Sequence, residues 1–214
     1  MEVDETRHHL KGLFMLLEQN KFVVKSQSKA FSSSKSFEIL DEAGKMLAMG
    51  KDVTPFFSSL LGSVTIEVRQ TADNALVFSL VRRGWLFKKD LVLSSQGEVL
   101  GQYKSKVFSL SSGFHMYDKD GKHLGEIRGK MFKAEYQFIS PDNKTEMGSV
   151  SRTWTGLAKS LFSGDDTHGV QIAPNFATDN QVKIMILGAA IAVESIFKKK
   201  GEKKSESSSG DDGE

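Results

Sequence analysis

The sequence predicts a mainly β protein: a closed antiparallel barrel of about 12 strands enclosing a hydrophobic C-terminal α-helix. Three observations predict it. The first is the stretch 181–197, QVKIMILGAAIAVESIF, in which residues 184–193 include no polar side chain. That run is shorter than the roughly 20 apolar residues a helix needs to cross a hydrocarbon core. It is apolar all round, which suits a helix enclosed by other structure. The second is a crude fivefold repeat of short run, turn and short run, the signature of β-hairpins. The third concerns closure. Five hairpins and an N-terminal pair make about 12 strands, and closing them removes exposed edges. Roughly 8 strands already fill their lumen with their own side chains, so a larger barrel needs a plug. The run 184–193 is the available one.

The elements follow in order. Residues 1–9, MEVDETRHH, are expected to be a flexible N-terminus; they have no apolar core of a signal peptide, and Glu2 stands where N-myristoylation requires glycine. Residues 10–18 are apolar-rich. They could form a short amphipathic helix, but we read a strand pair, 13–17 and 22–25, around Gln19 and Asn20. Residues 26–36, rich in Ser and Lys, read as a loop or an irregular edge strand. The repeat then runs FEIL-DEAG-K-MLA at 37–48, TIEV with ADNA and LVF at 65–78, DLVL-SSQG-E-VLG at 90–101, FHMY-DKDG-KH-LGEI at 114–127 and YQFI-SPDN-KTE-MGSV at 136–150. Gly and Asn supply the positive φ that tight turns need. Residues 149–163 bridge the strands to the helix, and 165–180, with Pro174, read as irregular. The domain layout expected is a barrel over 10–200, its central helix about 181–197, and a disordered polar tail over 201–214.

Composition narrows the function. The 214 residues suit one domain or two small ones, and 39% hydrophobic content can bury a sizeable core. No cysteine is present, so disulfides, thiol catalysis, zinc–thiolate sites and S-palmitoylation are excluded. A net charge of +2 gives no general preference for polyanions, and no nucleic-acid partner is expected. There is no P-loop, dinucleotide fingerprint, nucleophile elbow or His-Glu zinc motif. His8, His9, His115, His123 and His168 show no metal spacing beyond the adjacent terminal pair, and His168 reads as exposed. An enzyme with a covalent step is not expected.

Residues 148–172 read GSVSRTWTGLAKSLFSGDDTHGVQI. The basic Arg152 before Trp154, Thr155 and Gly156, then Phe162, Asp165, Asp166 and the run 169–172, then Val182, Lys183 and an apolar helix, resemble the phospholipid scramblase family. That family lies within the tubby C-terminal-like superfamily, which takes in the LURP-one-related barrels. The likeness spans roughly 13–200. It implies a barrel of about 12 strands around a C-terminal helix, reached here separately from the residues. It also implies movement of phospholipids between leaflets, stimulated by Ca²⁺, without covalent catalysis.

Three groups of candidate residues follow. Asp165 and Asp166, with Asp179 beyond them, match the acidic loop for which the family implies Ca²⁺, a cation that wants several oxygen ligands. The family's first acid falls on Gly164, and Asn175 stands where further acids are usual. A solvated turn is the competing reading. The second group is Arg82, Arg83, Trp85, Leu86, Phe87, Lys88 and Lys89, where the family often carries a lipid-modified cysteine cluster. Cations around aromatics suit a membrane surface, against a strand that points Trp85 and Phe87 inward. The third is Lys198, Lys199 and Lys200 with Lys203 and Lys204. Each cation near an anionic leaflet contributes about 1 kcal/mol, but lysines also complement helix C-termini. Trp154, Gly156, Ile184, Leu187 and Ile191 are expected to be structural.

The expected function is that of a scramblase-like protein, peripheral at the cytoplasmic face of a membrane. Its expected partner is an anionic phospholipid surface, with protein partners also open, a monomeric state, and Ca²⁺ as the only candidate cofactor. The alternative is a soluble, non-enzymatic tubby-like module that binds a phosphoinositide or a protein. A closed barrel plugged by its own helix offers no polar groove through a bilayer, so membrane association rests on residues and lipid movement on the resemblance.

Overall fold

The computed structural model describes residues 16–28, 35–82, 91–95, 97–105, 114–130, 135–152 and 167–206. Twelve strands follow in order: β1 (Lys21–Ser28), β2 (Lys35–Leu40), β3 (Met46–Asp52), β4 (Val64–Gln70), β5 (Leu76–Arg82), β6 (Leu91–Ser95), β7 (Glu98–Ser105), β8 (Phe114–Asp118), β9 (His123–Lys130), β10 (Glu135–Ile139), β11 (Glu146–Ser151) and β12 (Thr167–Ile172). A short helix, α1 (Phe56–Leu60), lies between β3 and β4. A 3₁₀ turn (Pro174–Phe176) and the long helix α2 (Asn180–Glu206) follow β12. Each strand pairs antiparallel with its neighbours in sequence, and β1 pairs with β12 to close the barrel.

All five hairpins expected from the repeat are present, and their turns show why those residues were chosen. The Asp41 carboxylate accepts the amides of Ala43 and Lys45, both at 2.9 Å. Asp118 does the same for Asp120 and Lys122, at 3.0 and 2.8 Å. Asp142 accepts the amides of Lys144 and Thr145 together with the Ser140 and Thr145 hydroxyls. Those bonds, that of Ser140 foremost, hold its carboxyl well below the usual carboxylate range. Asn74 and Asn143 take φ of 58° and 61°, the left-handed conformation an asparagine tolerates best. Each hairpin also carries a register shift beside its turn, at Ile39/Leu40, Val68/Arg69, Leu93/Ser94, Met116/Tyr117 and Phe138/Ile139. The repeat therefore includes a bulge, a device that increases local twist and bends a sheet toward closure.

Alternate residues of each strand face the lumen. Phe37 and Ile39, Ile66 and Val68, Phe78 and Leu80, and Tyr136 and Phe138 are all buried in one core with Val182 and the run 184–193 of α2. The helix is apolar all round because strands surround it; each Ile or Leu fully buried there contributes about 1.5–3 kcal/mol. Gly188 lets the wall come close: a Cβ there would lie 2.7 Å from the Tyr103 Oη. Tyr103 donates its hydroxyl to the Met185 carbonyl at 2.7 Å, and burial raises its pKa well above the ordinary value.

Four expectations are corrected. Leu16 and Leu17 are helical rather than the end of a strand at 13–17, as the alternative reading of that stretch had it; residues 13–15 lie outside the described residues. The twelfth strand is instead Thr167–Ile172, within the stretch expected to be irregular. It was hidden because Thr167 and His168 are buried too, so burial does not alternate along its first four residues. His168, expected exposed, is 2% exposed: it shares a face with Val170 and Ile172, which point into the core. Finally, α2 continues past 197 to Glu206, into the region read as tail. Lys and Glu are good helix formers, and lysines suit the negative end of the helix dipole.

Candidate functional site

An antiparallel barrel has two ends, and here they differ. At one end sit the five hairpin turns and the start of α2. At the other end lie the strand ends that the connections 29–34, 53–63, 83–90, 106–113, 131–134 and 152–166 join in sequence. The helix runs from the first end toward the second: Gln181 donates to the Leu100 carbonyl at 3.2 Å, and Gly188 lies farther along, beside Leu93 and Leu80. In sequence, the connections of the second end carry eight Lys or Arg against three Asp or Glu. The turns 41–45, 71–75, 96–97, 119–122 and 140–145, with 173–179, carry four against six. In sequence, the connections assigned to the second end are thus basic and the turns of the first end acidic, and we call the two the basic and the acidic end.

The basic end gathers features scattered in sequence. Arg82 ends β5 beside Val64, its partner in β4. Its guanidinium donates to the Gly62 carbonyl at 3.1 Å, and burial lowers its pKa. Arg83, Trp85, Leu86, Phe87, Lys88 and Lys89 continue the chain from that point and lie outside the described residues. Lys198, Lys199 and Lys200 belong to the part of α2 that follows the buried run, on the side toward which the helix is directed.

Of the Ca²⁺ candidates, only Asp179 lies among the described residues. Asp179 is the N-terminal cap of α2: its carboxylate accepts the Val182 amide at 2.9 Å, and its carbonyl accepts that of Lys183 at 3.0 Å. An Asp just ahead of an apolar helix is a capping signal legible in the sequence. Asp165 and Asp166 lie outside the described residues, and β12 begins at Thr167, at the end opposite Asp179. Six residues of strand separate those ends by about 20 Å. Among the described residues no group of three or more His, Asp or Glu could hold a metal ion. His115 and His123 meet at 3.2 Å, a pair the spacing did not announce because it forms across β8 and β9.

Trp154 and Gly156 lie outside the described residues, while Ile184, Leu187 and Ile191 line the lumen. Lys183, buried to 3% exposure, donates its ammonium to the Leu17 carbonyl, and burial pushes its pKa down. No helix among the described residues is long and apolar enough to cross a membrane. On the outer wall, Met49, Lys51, Val53, Glu67, Arg69, Gln70 and Asn74 line a groove of about 270 Å³. Arg69 is committed there to Glu67 at 2.9 Å and to the Asn74 carbonyl at 3.1 Å, which leaves the groove poorly suited to a phosphate.

Known proteins resemble this arrangement. A protein named Phospholipid scramblase 2 from Bos taurus is 33% identical over 63 residues, which cover 29% of this chain and 21% of that protein. The matched stretch is thus about a fifth of its length. An X-ray structure of a protein from Arabidopsis thaliana has the same fold, with a TM-score of 0.52 at 10% identity over 83% of this chain and 91% of that one. The family model described as Scramblase matches residues 19–199. That match takes in all twelve strands and the buried run of the central helix, and the chain belongs to the scramblase family.

Proposed function

We propose that this chain is a scramblase-like protein that works from the surface of a phospholipid membrane and meets it with the basic end of the barrel. The observation that carries the reading is the segregation of charge between the two ends. In sequence, the connections that join the strand ends on one side are basic, the segment 83–90 most of all, and α2 runs toward that side. Anionic headgroups attract such a surface, and each Lys or Arg close to the leaflet contributes about 1 kcal/mol. The apolar run of α2 is occupied as the core of the barrel, so attachment is peripheral in this reading. The family label adds movement of phospholipid between leaflets. With the lumen filled by α2, any such movement runs along the outside of the barrel or through lipid disturbed beneath it. Ca²⁺ stimulation would draw on Asp165 and Asp166, which in sequence belong to the connection at the same end, with headgroup phosphates completing the oxygen shell. No covalent step is proposed.

Two measurements test this. The full chain should float with vesicles of phosphatidylcholine and phosphatidylserine, weakly with phosphatidylcholine alone, and less at high salt. Failure to float with any vesicle overturns the reading. In proteoliposomes holding a fluorescent lipid, dithionite should bleach the inner leaflet faster with protein than without, and faster still with Ca²⁺. Bleaching no faster than in protein-free vesicles removes lipid movement and leaves surface binding.

A further inference from the structure

The β3–β4 connection, residues 53–63, reads VTPFFSSLLGS and has no charged side chain. Within it Phe56 is 72% exposed, Phe57 79%, Leu60 66% and Leu61 61%, and α1 buries none of its residues. Four large apolar side chains side by side in water make a patch that marks an interaction surface. The patch is braced in place. The Ser63 amide donates to the Ser58 carbonyl and the Gly62 amide to the Ser59 carbonyl, each at 2.9 Å. Arg82 holds the Gly62 carbonyl from β5, and the Thr54 hydroxyl accepts the Thr65 amide at 2.7 Å. Pro55 fixes the entry to the helix. Held this way, the tip stands off the wall instead of folding onto it.

We propose that α1 is a membrane wedge: Phe56, Phe57, Leu60 and Leu61 insert below the headgroups of an anionic bilayer. The proposal rests on the membrane-surface reading above and adds the residues that enter the lipid. The occupant is argued from charge and size. The tip rises from the basic end, with Lys51, Asp52 and Arg82 at its base, two cations to one acid, so headgroup attraction and apolar insertion act on the same face. A helix of five residues is about 7.5 Å long, close to the 5–10 Å depth of the headgroup–acyl boundary. A second copy docked tip to tip would instead bring two basic ends together, which like-charge repulsion opposes.

The absence of cysteine makes the test direct. Phe57→Cys in the full chain supplies a single thiol for an environment-sensitive fluorophore. Its emission should shift to the blue on adding phosphatidylcholine/phosphatidylserine vesicles and resist an aqueous quencher. A probe that stays in water while the protein floats overturns the wedge. The double change Phe56→Ser with Phe57→Ser should keep the melting temperature, because both side chains are exposed, and lower vesicle partition about tenfold or more. Undiminished partition of the folded variant sinks the wedge and spares the membrane-surface reading; absence of binding by the unaltered chain sinks both. A dimer in sedimentation that the double change dissolves, with vesicle binding intact, would make α1 a self-association face and also overturn the proposal.

Discussion

At the scale of single residues, the chemistry that matters most is where the core meets polar groups. Lys183 reads in the sequence as a charge guarding the edge of an apolar run. It is instead taken inside, where the Leu17 carbonyl receives its ammonium. Its folded pKa lies below the ordinary 10.5, so the unfolded chain binds the proton more tightly. Stability therefore rises with pH as the solution approaches that ordinary value. Lys183→Met should remove this alkaline gain. Melting temperatures taken from pH 7 to 10 should climb less in the variant than in the parent, and parallel curves would refute the argument. Asp179 and His168 make a related point. One was expected to bind metal and caps a helix; the other was expected in solvent and faces the core. The cap was legible, since Asp179 meets an amide only three residues on; the burial of His168 was not, because it depends on the core that other elements bring to β12.

At the scale of elements, what was legible was local. Five hairpins could be read because each turn needs an Asp, Asn or Gly at a fixed offset and each strand alternates. The bulges could not be read, since the extra residue has no type of its own. β12 escaped because its buried Thr167 and His168 break the alternation that marks a strand, and α1 escaped because four apolar residues in a short connection look like any buried turn. The central helix was legible from its uniform apolarity, but its fit was not. Gly188 is required by Tyr103 and Leu93, which belong to two different strands. Gly188→Val forces a branched side chain against them and should cost about 1–3 kcal/mol in denaturant unfolding. A variant as stable as the parent would show that the wall yields there.

At the scale of the whole molecule, the total charge of +2 conceals the property that matters. Only the alternation of strand direction around a closed ring sorts the connections into a basic set and an acidic set, and that sorting is invisible until the order of strands is known. The same ring has one further consequence. Its seam joins Lys21 to Gln171, and the helix that fills it follows every strand in the chain. A nascent chain leaving the ribosome therefore carries a greasy, half-built channel until its last segments emerge, and loop closure across the seam comes late. Chaperone dependence during synthesis is the natural outcome. A chain stopped after Ala177 should pellet or stay chaperone-bound, whereas supplying residues 178–206 as a separate peptide should recover some dispersed, folded protein; a monomeric, folded truncated chain would show that the ring closes around nothing.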